Sequence, residues 1–107
     1  MEAIWISLGD KENFFDDTPM PATAGAKELC IVKRESQVYA LSDWCTHGSA
    51  RLSDGYLEGE DVECPFHQGR FNLKTGQPTR APAEVAATVY DTKIENGEIF
   101  VRVPQTK

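Results

Sequence analysis

Residues 45–67 read CTHGSARLSDGYLEGEDVECPFH. The segment opens on Cys-Thr-His and closes on Cys-Pro-Phe-His, and it holds both histidines of the chain and two of its three cysteines. One residue separates Cys45 from His47, two separate Cys64 from His67, and sixteen lie between His47 and Cys64. Each pair can present a thiolate and an imidazole to one small target. The two pairs meet if the intervening chain folds back on itself. YLEGEDVEC is suited to that, with Glu58-Gly59-Glu60-Asp61 turning between Tyr56-Leu57 and Val62.

Outward from this segment the chain alternates short β-rich runs with turns. Apolar residues do not recur at helical spacing over any 11-residue window. Residues 4–8 are a candidate first strand. Residues 9–22 read as a polar loop with two prolines, in which one of Phe14 and Phe15 is expected to anchor in the core. Residues 29–33 and 38–41 flank a polar turn at Glu35-Ser36, a hairpin signal. Cys30 lies in the first of these runs between Leu29 and Ile31, which reads as a buried small hydrophobe. The strongest turn signal is Asn96-Gly97 within ATVYDTKIENGEIFVRV, because both central positions of a two-residue hairpin turn need positive φ. Ile94, Ile99, Val101 and Val103 then supply an alternating apolar face. The predicted fold is all-β: an antiparallel β base made from both ends of the chain, with a loop-rich module of about residues 43–83 inserted between them. Glycines at 48, 55, 59, 69 and 76 and prolines at 65, 78 and 82 punctuate the module.

With 107 residues, the chain is expected to form one domain, residues 1–107. Its formal net charge of −6 argues against nucleic acid and anionic membrane as partners, since phosphate contact needs clustered Lys and Arg. It suits steering toward a basic protein surface. No apolar run reaches the length of a membrane span, and residues 1–20 lack a basic start followed by an apolar stretch. Three cysteines fit a secreted disulfide framework poorly, so the expected compartment is the cytoplasm.

Two metal chemistries use two thiolates and two imidazoles. One is tetrahedral zinc, although zinc fingers group cysteine with cysteine and histidine with histidine. The other is a 2Fe–2S cluster in which two cysteines hold one iron and two histidines the other. A third use of these residues, a cysteine hydrolase built on Cys45 or Cys64, lacks an evident orienting group. C-x-H, sixteen residues, then C-x₂-H is the ligand pattern of the Rieske family, and CTHGSARLSDGYLEGEDVECPFHQGRF resembles it densely, with Gly48, Pro65 and Gly69 at the flanking positions. The chain is similar to the Rieske ferredoxins of bacterial aromatic-ring-hydroxylating dioxygenases, such as those acting on naphthalene or biphenyl. The likeness is sharpest over residues 43–76. It implies the Rieske fold and one 2Fe–2S cluster, with Cys45 and Cys64 on the inner iron and His47 and His67 on an outer iron near the surface. It also aligns Arg80-Ala81-Pro82-Ala83 with the family's cluster-shielding proline loop. Trp44 is expected to pack against the cluster base, Arg51 to pair with an acidic neighbour, and Gln68 and Arg70 to flank the second histidine.

The departures from the wider family are informative. The Rieske proteins of respiratory cytochrome bc complexes carry a disulfide between the two cluster loops, and Ala50 and Phe66 stand at those positions. They also place serine and tyrosine hydroxyls by the cluster sulfurs, where this chain has Gly69 and Phe71. Neither side chain can donate a hydrogen bond to stabilise the added electron. The expected potential therefore lies at the low end of the Rieske range, on the order of −150 mV. Free ring nitrogens on the two histidines would couple protons to the electron, so the midpoint should fall at alkaline pH.

No histidine is left for a mononuclear iron site, and no G-x-G-x-x-G fingerprint is present. The resemblance therefore implies a monomeric one-electron carrier, not an enzyme, between a flavin-containing NADH-dependent reductase and a terminal Rieske oxygenase. The alternatives are a small Rieske-like subunit of a nitrite-reductase-type enzyme and a structural zinc-binding module.

Overall fold

The structure, a computed structural model, describes residues 3–46, 50–65 and 68–104. In chain order the strands are β1 (Ala3–Asp10), β2 (Met20–Ala24), β3 (Lys27–Arg34), β4 (Gln37–Ser42), β5 (Tyr56–Glu58), β6 (Asp61–Glu63), β7 (Arg70–Asn72), β8 (Pro78–Arg80), β9 (Val89–Tyr90), β10 (Thr92–Glu95) and β11 (Glu98–Pro104). They form three antiparallel sheets: β1-β11-β10, β2-β3-β4-β9 and β5-β6-β7-β8. The first two make the base from both ends of the chain. The third lies wholly within the inserted module.

Turn chemistry sets three of the hairpin registers. Glu95 faces Glu98 across Asn96 (φ 52°) and Gly97 (φ 80°), the two left-handed residues of a primed turn. Arg34 faces Gln37 across Glu35-Ser36, with Glu35 at φ 54°. Glu58 faces Asp61 across Gly59-Glu60.

Residues 20–22, the end of the expected loop, lie instead in β2. Met20, Ala22 and Ala24 turn inward while Pro21 and Thr23 are exposed, so the segment has the two-residue period of a strand. Pro21 is tolerated because β2 is an edge strand. Of the two phenylalanines, Phe14 is the core anchor and Phe15 is exposed. The run before Asn96 is also not one strand. Val89 and Tyr90 pair with β4, and after Asp91 the chain joins β11 in the other base sheet.

Strands β3 and β4 are buried on both faces. Leu29, Ile31, Val38 and Ala40 pack with Ile99, Val101 and Val103 of the outer base sheet. The alternate residues Cys30, Val32 and Leu41 pack with the inserted module. Burial on both faces explains why LCIV reads as an unbroken apolar run. Cys30 is fully buried, as expected of a small hydrophobe. Among the described residues, no helix is long and apolar enough to cross a membrane.

Candidate metal centre

The two cysteine loops are built alike. The Cys45 backbone N–H donates to the Ala50 carbonyl at 2.8 Å, and the Cys64 N–H donates to the Gly69 carbonyl at 2.7 Å. Each closure ties a cysteine to the fifth residue after it. One position further out, Trp44 bridges Arg51 and Glu63 pairs with Arg70. Each loop therefore starts at a cysteine and is shut by backbone hydrogen bonding that ends beside an arginine.

Gly55 lets the loops approach. A Cβ there would collide with the Glu63 carbonyl oxygen, so only glycine allows the turn after the first loop to pack beneath the residue preceding Cys64. Cys45 and Cys64 accordingly belong to one buried group with Leu52, Val62, Phe71 and Ala83. Cys64 is fully buried, Cys45 is 6% exposed, and no disulfide joins any of the three cysteines. His47 and His67, with Gly48 and Phe66, lie outside the described residues.

The donor chemistry fits the cluster. Two thiols share one apolar pocket, and each is followed two or three residues later by an imidazole. Cys30 is unsuited as a ligand although it joins the same buried group. Burial pushes its thiol well above the usual range and the nearby Asp43 carboxylate adds to the rise, so it stays protonated.

Ion pairs anchor both loops. Arg70 is half-buried and bonds Glu63 at 2.8 Å, with Glu58 at 3.9 Å. These contacts tie it to its own hairpin. Gln68, in contrast, is exposed at φ 62°. Arg51 pairs with Glu28 at 2.8 Å and Asp43 at 3.3 Å, which names the acidic neighbours its sequence context left open. Trp44 does not fill the interior. The residue is 43% exposed, and its ring donates through Nε1 to Glu28 at 3.1 Å and lies 4.2 Å from the Arg51 guanidinium. A cation–π contact and a hydrogen bond thus hold the indole outward.

Sequence reasoning missed Asp43. It is the one buried charged residue among those described, and its carboxylate accepts from the Ser53 N–H, the Ser53 hydroxyl and Arg51. The cue was slight: an aspartate just before the first cysteine loop. The link between Thr46 and Val85 was also invisible. The Thr46 hydroxyl donates to the Val85 carbonyl at 2.7 Å, strapping residues 80–85 to the first loop, with Ala83 buried and Pro82 and Val85 exposed.

Comparison with known proteins places this geometry. Residues 4–96 match the family model of the Rieske [2Fe-2S] domain. The ferredoxin component of the naphthalene 1,2-dioxygenase system of Pseudomonas putida is 41% identical over 101 residues, 94% of this chain and 97% of that protein. A chain of the complex of reduced oxygenase and oxidized ferredoxin in carbazole 1,9a-dioxygenase superposes with a TM-score of 0.86. It is 36% identical, and the match covers 97% of this chain and 96% of that one. A nitrite reductase small subunit from Mycobacterium tuberculosis shares the fold alone, at 16% identity and a TM-score of 0.85 over 99% of this chain and 100% of that one. The chain belongs to the Rieske [2Fe-2S] family and is a ferredoxin, an electron carrier with a Rieske-type 2Fe–2S cluster.

Proposed function

We propose that this protein is the ferredoxin component of a multicomponent ring-hydroxylating dioxygenase system. It takes single electrons from a flavin-containing, NADH-dependent reductase and delivers them to the Rieske centre of a terminal oxygenase. Cys45 and Cys64 hold the inner iron, and His47 and His67 the outer. The observation that carries this reading is the pair of matched loops, each closed behind a buried cysteine and both opening from one apolar group. The naphthalene relative is the ferredoxin of such a system, and the carbazole structure pairs oxygenase with ferredoxin.

Bound at these loops, a 2Fe–2S cluster supplies one reversible one-electron site. The chain's own residues do the rest. Leu52, Val62 and Phe71 exclude water from the cysteine side. Pro65 and Gln68 of the second loop, and Pro82 and Val85 of the 80–85 segment, are exposed and uncharged. Such uncharged exposed residues suit brief docking, since weak redox encounters bury little area. Residues 80–85, strapped down through Thr46, serve as the lid beside the cluster. The carrier acts as a monomeric single domain in the cytoplasm. With Gly69 and Phe71 offering no side-chain donor, its midpoint lies at the low end of the Rieske range, and a value above about +100 mV contradicts this.

Reconstitution is the test. With NADH, a ring-hydroxylating dioxygenase reductase and its oxygenase, product should form only when this protein is added. Failure of a cluster-loaded sample to carry electrons would refute the reading. Electron paramagnetic resonance of the reduced protein separates it from a zinc module, which gives no signal.

A further inference from the structure

The two cysteine loops are closed in the same register, and the residues two positions before each cysteine differ in chemistry. Two residues before Cys64 stands Val62, fully buried and paired with Phe71 in the β6–β7 ladder. Two residues before Cys45 stands Asp43, equally buried and outside any strand. A valine suffices in the second loop, so burial alone does not call for a carboxylate in the first. Burying a charge is also costly unless it is paired and hydrogen-bonded.

Asp43 meets that condition in full. Its carboxylate accepts from the Ser53 N–H at 2.8 Å, the Ser53 hydroxyl at 2.9 Å and Arg51 at 3.3 Å. Its backbone N–H donates to the Glu28 carbonyl at 3.0 Å, and its own carbonyl accepts from the Leu52 N–H at 2.7 Å. The first loop has only an isolated bridge where the second has a strand ladder, and these bonds take the ladder's place. The neutralisation is incomplete, because Arg51 is shared with Glu28. The Asp43 and Cys45 α-carbons, two residues apart, lie within about 7 Å of each other.

We propose that Asp43, paired with Arg51, clasps the Cys45 loop shut and lowers the reduction potential of the cluster through a fixed negative charge behind Cys45. Reduction adds a negative charge to the cluster, so the carboxylate opposes it and the guanidinium favours it. Asp43 is thus a positioning residue that also sets the driving force. The proposal rests on the reading that Cys45 is a cluster ligand.

The test uses the holoprotein with Asp43→Asn and Arg51→Gln, measuring iron and sulfide per chain, the resonance spectrum of the reduced form and the midpoint at fixed pH. Both variants should keep the cluster and shift in opposite directions. Asp43→Asn should rise and Arg51→Gln should fall, each by at least threefold in the reduction equilibrium, about 28 mV for one electron. A purely structural role would not produce opposite signs. Shifts of the same sign, or midpoints within threefold of wild type, overturn the proposal. If Asp43→Asn fails to load, Arg51→Gln decides: a fall upholds the charge effect and no fall overturns it. Cys45→Ala is titrated alongside. A Rieske signal persisting there overturns the ligand assignment, a failure distinct from that of the Asp43 role.

Discussion

Gly55 and Gly97 separate two reasons for a glycine. Gly97 sits at φ +80° with open space around its α-carbon, so only backbone preference is at stake. Gly97→Ala should cost about 1–2 kcal/mol in denaturant unfolding and leave cluster content unchanged. Gly55 has an ordinary φ of −95°, but a methyl group there meets the Glu63 carbonyl. Gly55→Ala must push the two cysteine loops apart. The expected outcome is a loss of about 3 kcal/mol or more and substoichiometric iron on purification. Glu28 predicts a pH effect. Its carboxyl is held below the usual range, first by the Trp44 indole N–H and then by Arg51. The unfolded chain therefore binds that proton more readily. The contribution is complete above the ordinary carboxylate range, near pH ~4.3, and fades as the pH falls through the lowered value. Glu28→Gln should flatten this part of the acid-unfolding curve; an unchanged curve would remove Glu28 from the account. At this scale the candidate ligands stood out because cysteine and histidine are scarce and their spacing is distinctive. Asp43 was not, because one aspartate among seventeen acidic residues carries no mark of burial.

Among the elements, the β5–β6 hairpin is tied to the base through Arg34. From the end of β3, its guanidinium bonds Asp17 at 2.8 Å, the Gly59 carbonyl at 2.8 Å and Glu60 at 3.0 Å. These contacts hold the guanidinium firmly charged, with the Asp17 bond the largest cause. Its side chain is about one-quarter exposed, so solvent screens part of the gain. Arg34→Met keeps the apolar stem and removes the three bonds. It should lower stability by about 1–2 kcal/mol and speed hydrogen exchange at the β5–β6 turn, with the midpoint unmoved. The Asn96-Gly97 hairpin was readable because its turn type admits few residues. Strand β2 was not, because Pro21 and Pro19 look like loop signals until the strand is seen to lie at an edge. Strand β9 was hidden because a two-residue pairing leaves no periodicity to detect.

For the whole molecule, the inserted module is not a separate body. Its buried group includes Cys30, Val32 and Leu41 from the base, packed with Leu52, Val62, Cys64 and Phe71. Residues 43–83 expressed alone should therefore neither fold nor take up a cluster. In the complete protein, loss of visible absorbance and loss of strand signal should coincide in one transition. An excised module that binds cluster stably, or two separated transitions, would overturn that reading.

The family, the cluster and the electron-carrying role were readable from residues 45–67, because metal ligands must occur at set spacings along the chain. The hairpin turns were readable for a related reason, since each depends on the conformational freedom of neighbouring residues. The fit of Gly55 beneath Glu63, the sharing of Arg51 between Glu28 and Asp43, and the two-sided burial of β3 emerged with the folded chain. These join residues from separate elements, and no local pattern specifies which carboxylate an arginine will meet or which backbone oxygen a missing side chain makes room for.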